Sequence, residues 1–531
     1  MSRRSFVKAT ALITAATVCS RLLGFARETV IAKYFGATAQ TDAYLVAFII
    51  PGAILSLLGG ALPGTMIPVF TQLAGSGRED KAWRMCSTLT NLIILTLTLG
   101  SIAGWFLAPI LVPLLAPGFS KGVLDLAVYL TRIMMPKIVF LTLAGLATAI
   151  LQSYRKFTAP SLVGVPYNLL IIAFIVFLSP KLGIVALALG TVAGGISQWL
   201  FQLPSIWSLA WRRRRGLPVG ELGKSLRSVP EARFRPLLDL GDPAVRQVGK
   251  LLVPVLISGA LGQINAIVDR SMASTLPAGS IAALSYSNRL VGLPLGIFVG
   301  AVATAIYPAL SLSFAKGKLA EFKQSLSDGL RLVSLVMVPA AIGLIVLGKP
   351  IVQLLFERGA FDSQATVLTN QALVFYALGI VPSAFHLVIA KAYWALQDTW
   401  TPLKVSVVSV LANIVFNLLL IGPLAHGGLA LATSISHFLW ILITVVLLRR
   451  KVGALGGSRI LSSFIRITLS GILMGLCVPW VYKVLSPYGL FLSVAGSIFC
   501  GIIIYGFGLL VFGVEEVKTL ITLLRRRLAG K

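Results

Sequence analysis

Long apolar stretches alternate with short polar segments along the whole chain. About 20 apolar residues suffice for a helix to cross the hydrocarbon core of a bilayer, and the pattern predicts about fourteen such helices. The predicted spans lie at 7–34, 42–73, 84–114, 124–152, 159–179, 182–210, 248–274, 281–313, 325–357, 365–395, 402–422, 428–448, 459–485 and 488–514. The chain is therefore predicted to be an all-α, polytopic membrane protein.

Composition agrees with this class. Of the 531 residues, 57% are hydrophobic and 12% are charged, and the mean hydropathy is +0.92, which excludes an ordinary soluble enzyme. The net charge of +29 does not indicate a nucleic-acid partner, because the basic residues cluster in alternate segments between spans, as in cytoplasmic loops. An even number of spans then predicts a multi-pass protein of the bacterial plasma membrane with both termini in the cytoplasm.

The long basic segment at 211–247 divides the spans into two blocks. We predict an amino-terminal six-helix lobe at 1–210, a basic cytoplasmic linker at 211–247 and a carboxy-terminal six-helix lobe at 248–450. Two further helices follow at 451–515, with a basic cytoplasmic tail at 516–531.

An internal repeat supports the two lobes. The segment from Gly60 to Pro68 resembles the segment from Gly300 to Pro308, and the two are separated by six predicted spans. Because six is even, the lobes share one orientation and are related by a pseudo-twofold axis along the membrane normal. Transporters with such parallel repeats bind substrate between their lobes.

Arg21, Arg27 and Glu28 lie inside the first apolar stretch. Each buried ionic group costs about 2.5–3.5 kcal/mol or more at mid-span, so such residues usually face a polar cavity or a partner. At 100° per residue these three side chains share one face of a helix. The pattern predicts a cationic, hydrated wall, and the alternative is a pair of arginines whose head groups reach the membrane surface.

Other spans also contain polar residues. Asp269 and Arg270 either face the same interior or form a structural ion pair. Asn413 and Asn417 are one helical turn apart, as are Thr433 and His437. Together with Asp269 these side chains could supply oxygen ligands to a hard cation, or they could form interhelical hydrogen bonds.

Two lysines lie deep in predicted spans. Lys391 either reaches the cavity or extends to the membrane surface, and for Lys137 we expect extension to the surface. Several arginines around one acid suit a multiply charged oxyanion such as a diphosphate, since guanidinium groups form bidentate hydrogen bonds. The chain has no Walker loop, so transport is expected to be driven by ions, membrane potential or the substrate gradient.

The segments Ser20–Glu28, Phe35–Ala37 and Thr41–Tyr44 resemble the amino-terminal signature of the MurJ (MviN) family, and Tyr286–Leu290 and Gln397–Thr399 extend the resemblance. These are lipid II flippases of the multidrug/oligosaccharidyl-lipid/polysaccharide exporter superfamily. The resemblance implies fourteen helices, in two six-helix lobes and a final pair that forms a groove for the lipid tail.

The resemblance also implies roles for particular residues. Arg21, Arg27 and Arg289 would hold the diphosphate and head group, Glu28 would orient Arg27, and Asp42 would lie near the outer gate. A sodium ion, the one cofactor implied, would be held in the carboxy-terminal lobe. Its ligands would be Asp269, Asn413, Asn417, Thr433 and the carbonyl of Leu429.

The chain departs from the family pattern at several positions. Gly52 and Leu55 stand where many members have asparagine and arginine, so the cavity is expected to be less cationic. Asn417 replaces a carboxylate, which weakens the implied sodium site. Asn288 replaces an acid, and Lys391 replaces a small residue or proline.

We therefore expect a transporter, not an enzyme, that serves peptidoglycan biosynthesis. It would move lipid II, the undecaprenyl-diphosphate-linked disaccharide-pentapeptide, from the inner to the outer leaflet by alternating access. Its partners would be lipid II, membrane lipids and cell-wall synthesis proteins, with no nucleic acid. The alternatives are a flippase for another polyprenyl-diphosphate oligosaccharide and a cation-coupled drug exporter, which would need an acidic site.

Overall fold

The structure is a computed structural model that describes residues 3–214 and 236–516. Most of the predicted linker, at 215–235, and the predicted tail from residue 517 lie outside the described residues. Within them the chain forms helices and no β-strand, which confirms the all-α class.

The helices follow the hydrophobic pattern closely. Their bounds are α1 Arg3–Phe35, α2 Ala39–Ala47, α3 Ile49–Gly75, α4 Glu79–Leu115, α5 Lys121–Met134, α6 Lys137–Ser153, α7 Thr158–Leu162, α8 Gly164–Leu182, α9 Val185–Arg214, α10 Pro243–Ala273, α11 Ser280–Pro294, α12 Gly300–Ala315, α13 Leu319–Val346, α14 Gly348–Phe356, α15 Ser363–Leu378, α16 Ile380–Ala395, α17 Trp400–Val452, α18 Gly457–Leu485 and α19 Leu490–Val511. A π-helix, Leu295–Val299, joins α11 to α12, and a 3₁₀-helix, Ser486–Tyr488, precedes α19.

Every predicted span coincides with helical segments, and several are broken. The second divides at Phe48 and the fourth at Met135 and Pro136. Among the described residues, nine helical segments, some of them containing a break, are long and apolar enough to cross a membrane, and α15 with α16 forms one further, bent span. The chain is thus a multi-pass membrane protein, and the count of fourteen spans stays a prediction.

The chain contains two compact units, Met1–Ala278 and Gly279–Lys531. Helix α10, which the sequence analysis placed in the second lobe, packs against α3 and α4 of the first unit. The predicted lobe boundaries stay a prediction.

Aromatic packing holds α3, α4 and α6 together in the first unit. The rings of Phe70 and Tyr154 lie 5.4 Å apart, edge to face, and Trp83 Nε1 donates to the Tyr154 hydroxyl at 3.0 Å. That hydroxyl in turn donates to the buried carboxylate of Glu79. The Trp83 indole N–H and the Tyr154 hydroxyl are therefore hydrogen-bonded inside an apolar core.

The segment labelled α17 consists of two helices joined at a sharp kink. Ala425 has φ 48° and ψ −132°, which is not helical. The arms before and after it pack side by side, because Ser409 Oγ donates to the Ser436 carbonyl at 2.9 Å and Trp440 Nε1 donates to Ser406 Oγ at 3.1 Å. The two arms match the separate spans predicted at 402–422 and 428–448.

Ion pairs fasten the ends of helices in the second unit. Asp398 accepts hydrogen bonds from Lys451 and from the Thr401 amide, and although burial alone raises its pKa, these bonds lower it to about 2. Arg331 of α13 pairs with Glu515 and Glu516, which follow α19. The hydrogen bond from Arg331 lowers the pKa of the exposed Glu515.

The turn of α17 depends on a glycine. A Cβ atom at Gly428 would collide with the carbonyl oxygen of Leu420, whereas one at Gly422 would meet no atom within 4 Å. We expect Gly428→Ala to lower the free energy of unfolding by about 1–3 kcal/mol, the usual cost of overpacking, and Gly422→Ala to have little effect. Denaturation of the purified variants in one detergent measures both, and equal stabilities would contradict the turn geometry.

Candidate substrate-binding site

Arg27 and Glu28 of α1 form an ion pair in the first unit. Arg27 Nε donates to Glu28 Oε1 at 3.1 Å, and Nη2 also contacts that oxygen. The side chains are 16% and 6% exposed. The predicted pairing of these two residues is therefore present, and it offsets part of the cost of burying the guanidinium.

An aromatic side chain covers the Arg27 guanidinium, whose Cζ lies 5.6 Å from the ring centroid of Tyr167 on α8. A Cβ atom at Gly194 of α9 would lie 2.8 Å from that ring, so the glycine lets Tyr167 approach. Nearby, the hydroxyls of Tyr44 and Thr191 are 2.9 Å apart, and the Tyr44 phenol interacts electrostatically with Arg27. Arg27 thus lies among groups from α1, α2, α8 and α9.

Lys137 belongs to the same region, and its predicted extension to the membrane surface is wrong. Its side chain is fully buried, and Nζ lies 3.2 Å from the ring centroid of Phe48. Lys137 begins α6 immediately after the break at Met135 and Pro136, in the middle of a predicted span. The stem cannot reach the surface because Phe48, at the break between α2 and α3, covers the ammonium group.

Two further candidate residues occupy different environments in this unit. Arg21 is exposed, two turns before the Arg27–Glu28 pair on α1. Asp42 is 3% exposed and lies in the first turn of α2, where the helix dipole favours a carboxylate.

Arg289 lies on α11 in the second unit and is half-buried. Its helix is anchored by its neighbours: the Tyr286 ring packs 5.2 Å from Phe356, and Ser287 Oγ donates to the Thr369 carbonyl at 2.6 Å. The π-helix begins six residues after Arg289, and such local unwinding frequently accompanies functional sites.

The candidate sodium ligands offer oxygen atoms on both arms of α17. Asn417 Nδ2 donates to Asn413 Oδ1 at 3.0 Å, and Thr433 Oγ1 donates to the Leu429 carbonyl at 3.0 Å. These four residues supply neutral oxygens, which suit a monovalent hard cation in type. The carboxylate candidate, Asp269, is half-buried on α10 of the first unit.

Comparison with known proteins identifies the family. The family model described as lipid II flippase MurJ matches residues 31–499. The chain belongs to this family. A probable lipid II flippase MurJ from Vibrio cholerae is 33% identical over 82% of this chain and 81% of its own length. The lipid II flippase MurJ of Burkholderia cenocepacia is 30% identical over 82% of each chain.

Solved structures agree with the family. A lipid II flippase MurJ in an inward closed conformation matches with a TM-score of 0.78 and 26% identity, covering 96% of this chain and all of the other. An inward-facing multidrug transporter of the MATE family matches with a TM-score of 0.68 and 12% identity, over 84% of this chain and 98% of the other. This second match concerns the fold alone. The relatives are transporters, so the family is not one of enzymes.

Sequence reasoning missed three parts of this site: Tyr167, Thr191 and the contact between Lys137 and Phe48. Tyr167 and Thr191 occur within apolar spans as isolated polar-tipped side chains and carry no periodic signal. The adjacent glycines, Gly194 and Gly195, were the available sign, since glycine in a helix often marks the close approach of a neighbour.

The Arg27–Glu28 pair makes a thermodynamic prediction. Glu28→Gln keeps the side-chain shape but removes the charge, and it should lower the free energy of unfolding by about 1–3 kcal/mol because Arg27 then stays buried without its counter-charge. A double-mutant cycle with Arg27→Gln should give a coupling energy of similar size. Unfolding titrations of the four proteins in detergent measure it, and additivity within about 0.5 kcal/mol would contradict the pairing.

Proposed function

We propose that the chain is a lipid II flippase, which moves the undecaprenyl-diphosphate-linked disaccharide-pentapeptide from the inner to the outer leaflet. The observation that carries this proposal is the match of the lipid II flippase family model to residues 31–499. The buried, cation-rich group around Arg27 supports it, because a diphosphate is the part of this lipid that such a group would recognise.

The chemistry of the site follows from its residues. Glu28 fixes the direction of the Arg27 guanidinium, which keeps its charge at any physiological pH and can donate two parallel hydrogen bonds to a phosphate. The Tyr167 ring covers one side of the guanidinium. We propose that Arg21 and Arg289 also bind the head group during translocation and that Asp42 acts at the outer gate. Alternating access would then move the head group across the membrane.

The membrane setting is part of the proposal. Basic segments such as 212–215 favour a plasma-membrane protein with both termini in the cytoplasm. Helices α18 and α19 pack against each other, and α19 exposes apolar side chains such as Phe499, Ile502 and Phe507. This face supports the proposed groove for the lipid tail. Cell-wall synthesis proteins are the partners that lipid II transport would require.

Arginine variants in liposomes test the flippase proposal. Translocation of lipid II by the purified chain should fall at least about tenfold in Arg27→Ala and in Arg289→Ala, since each lost charge-assisted hydrogen bond is worth about 1.5–3 kcal/mol. Arg78→Ala, which changes an exposed loop arginine, is the matched control and should translocate normally. Wild-type rates in both cavity variants would contradict the proposal.

The alternatives have their own readouts. Translocation of another polyprenyl-diphosphate oligosaccharide in place of lipid II would identify a different head group. Efflux of cationic dyes would indicate a drug exporter, although the group around Arg27 is cationic and would repel such compounds.

We also propose sodium as the coupling ion, held in the second unit by oxygens of Asn413, Asn417, Leu429 and Thr433. Sodium chloride should then raise the thermal unfolding midpoint of the wild type more than potassium chloride at equal ionic strength. Asn413→Ala should abolish the difference, because it removes one oxygen ligand. Equal midpoints in the two salts would exclude sodium binding and leave membrane potential or the substrate gradient as the driving force.

A further inference from the structure

Lys137 is a buried cation that the mechanism above does not use. Its side chain has no exposed surface, and Nζ has no hydrogen-bond partner among the described residues. The contact that the structure shows is with the face of the Phe48 ring, 3.2 Å away. Ionisable groups inside a membrane usually have a polar partner and mark a functional pathway, so a ring face alone leaves the ammonium undersatisfied.

Lys137 lies in the same group as Arg27. Consecutive glycines of α9 lie beside the Lys137 side chain and beside the ring that covers Arg27. A Cβ atom at Gly194 would meet the Tyr167 ring, which covers Arg27, and one at Gly195 would lie 3.6 Å from Lys137 Cβ. One carboxylate, Glu28, accompanies two basic side chains, so a bound anion would balance the group and favour the protonated form of Lys137.

The neighbouring helix supplies no competing cation. Helix α3 has no lysine or arginine between Ile49 and Gly75, so the positive charge beside its first turn comes from α6. A Cβ atom at Gly52 would lie 2.9 Å from two atoms of the Phe48 ring. Gly52 therefore allows the ring to occupy the position in which it covers Lys137.

We infer that Lys137 binds the diphosphate of the lipid substrate, and that Phe48 is its partner only while the substrate is absent. A charge-assisted hydrogen bond from an ammonium to a phosphate oxygen is stronger than contact with a ring face. The incoming phosphate therefore replaces the ring as the partner of Nζ. This inference rests on the proposed flippase function and adds a binding residue from α6.

The test compares Lys137→Met with the wild type, as full-length protein in detergent. The variant should bind undecaprenyl diphosphate and lipid II at least about tenfold more weakly, whereas Lys137→Arg should stay within about threefold of the wild type. Without lipid, Lys137→Met should unfold at the same or a higher temperature, because it removes a buried charge that lacks a hydrogen bond. Lys121→Met changes an exposed lysine at the start of α5, just before the predicted span that contains Lys137, and should bind normally.

The outcomes separate the inference from the proposed function. Wild-type affinity and translocation in Lys137→Met would overturn the role of Lys137 and leave the flippase proposal intact. Weaker binding accompanied by a lower unfolding temperature would also overturn it, because Lys137 would then act by stabilising the fold. Failure of the folded wild type to bind lipid II would overturn the proposed function itself.

Discussion

A charge placed in hydrocarbon must find a partner, and this constraint shapes the first unit of the structure. Burying one ionic side chain at mid-span costs about 2.5–3.5 kcal/mol or more, and the unit contains three such groups close together. The Glu28 carboxylate offsets the charge of Arg27, and Tyr167 and Phe48 offer ring faces to Arg27 and Lys137. Gly194 of α9 lets the Tyr167 ring approach. The packing of α1, α6, α8 and α9 is thus organised around charge compensation.

The compensation is incomplete, and this connects the fold to transport. The one carboxylate, Glu28, pairs with Arg27, whereas Lys137 contacts a ring, and rings are weaker partners than anions. A multiply charged oxyanion would complete the set, whereas a cationic ligand would increase the repulsion. Membership of the lipid II flippase family agrees with this preference, since the lipid contains a diphosphate. If the substrate anion completes the charge balance, its departure restores the starting state. Release of the substrate on the far side of the membrane requires such reversibility.

The sequence predicts helices well and contacts between helices poorly. Hydrophobic stretches located the helical segments, and the turn near Ala425 falls in the gap between the spans predicted at 402–422 and 428–448. The family resemblance implied that Glu28 orients Arg27. Lys137 was misjudged because its environment depends on Phe48, which is distant in sequence. Helix breaks at Phe48 and Met135 were also missed, since apolar residues continue through them.

A structure of the chain with lipid II bound tests the central claim most directly, by the position of the diphosphate. The account predicts that its phosphate oxygens lie within hydrogen-bonding distance of the Arg27 guanidinium, with the Glu28 contact retained. A diphosphate bound elsewhere, with the Arg27–Glu28 pair unchanged and without contact to the lipid, would contradict it.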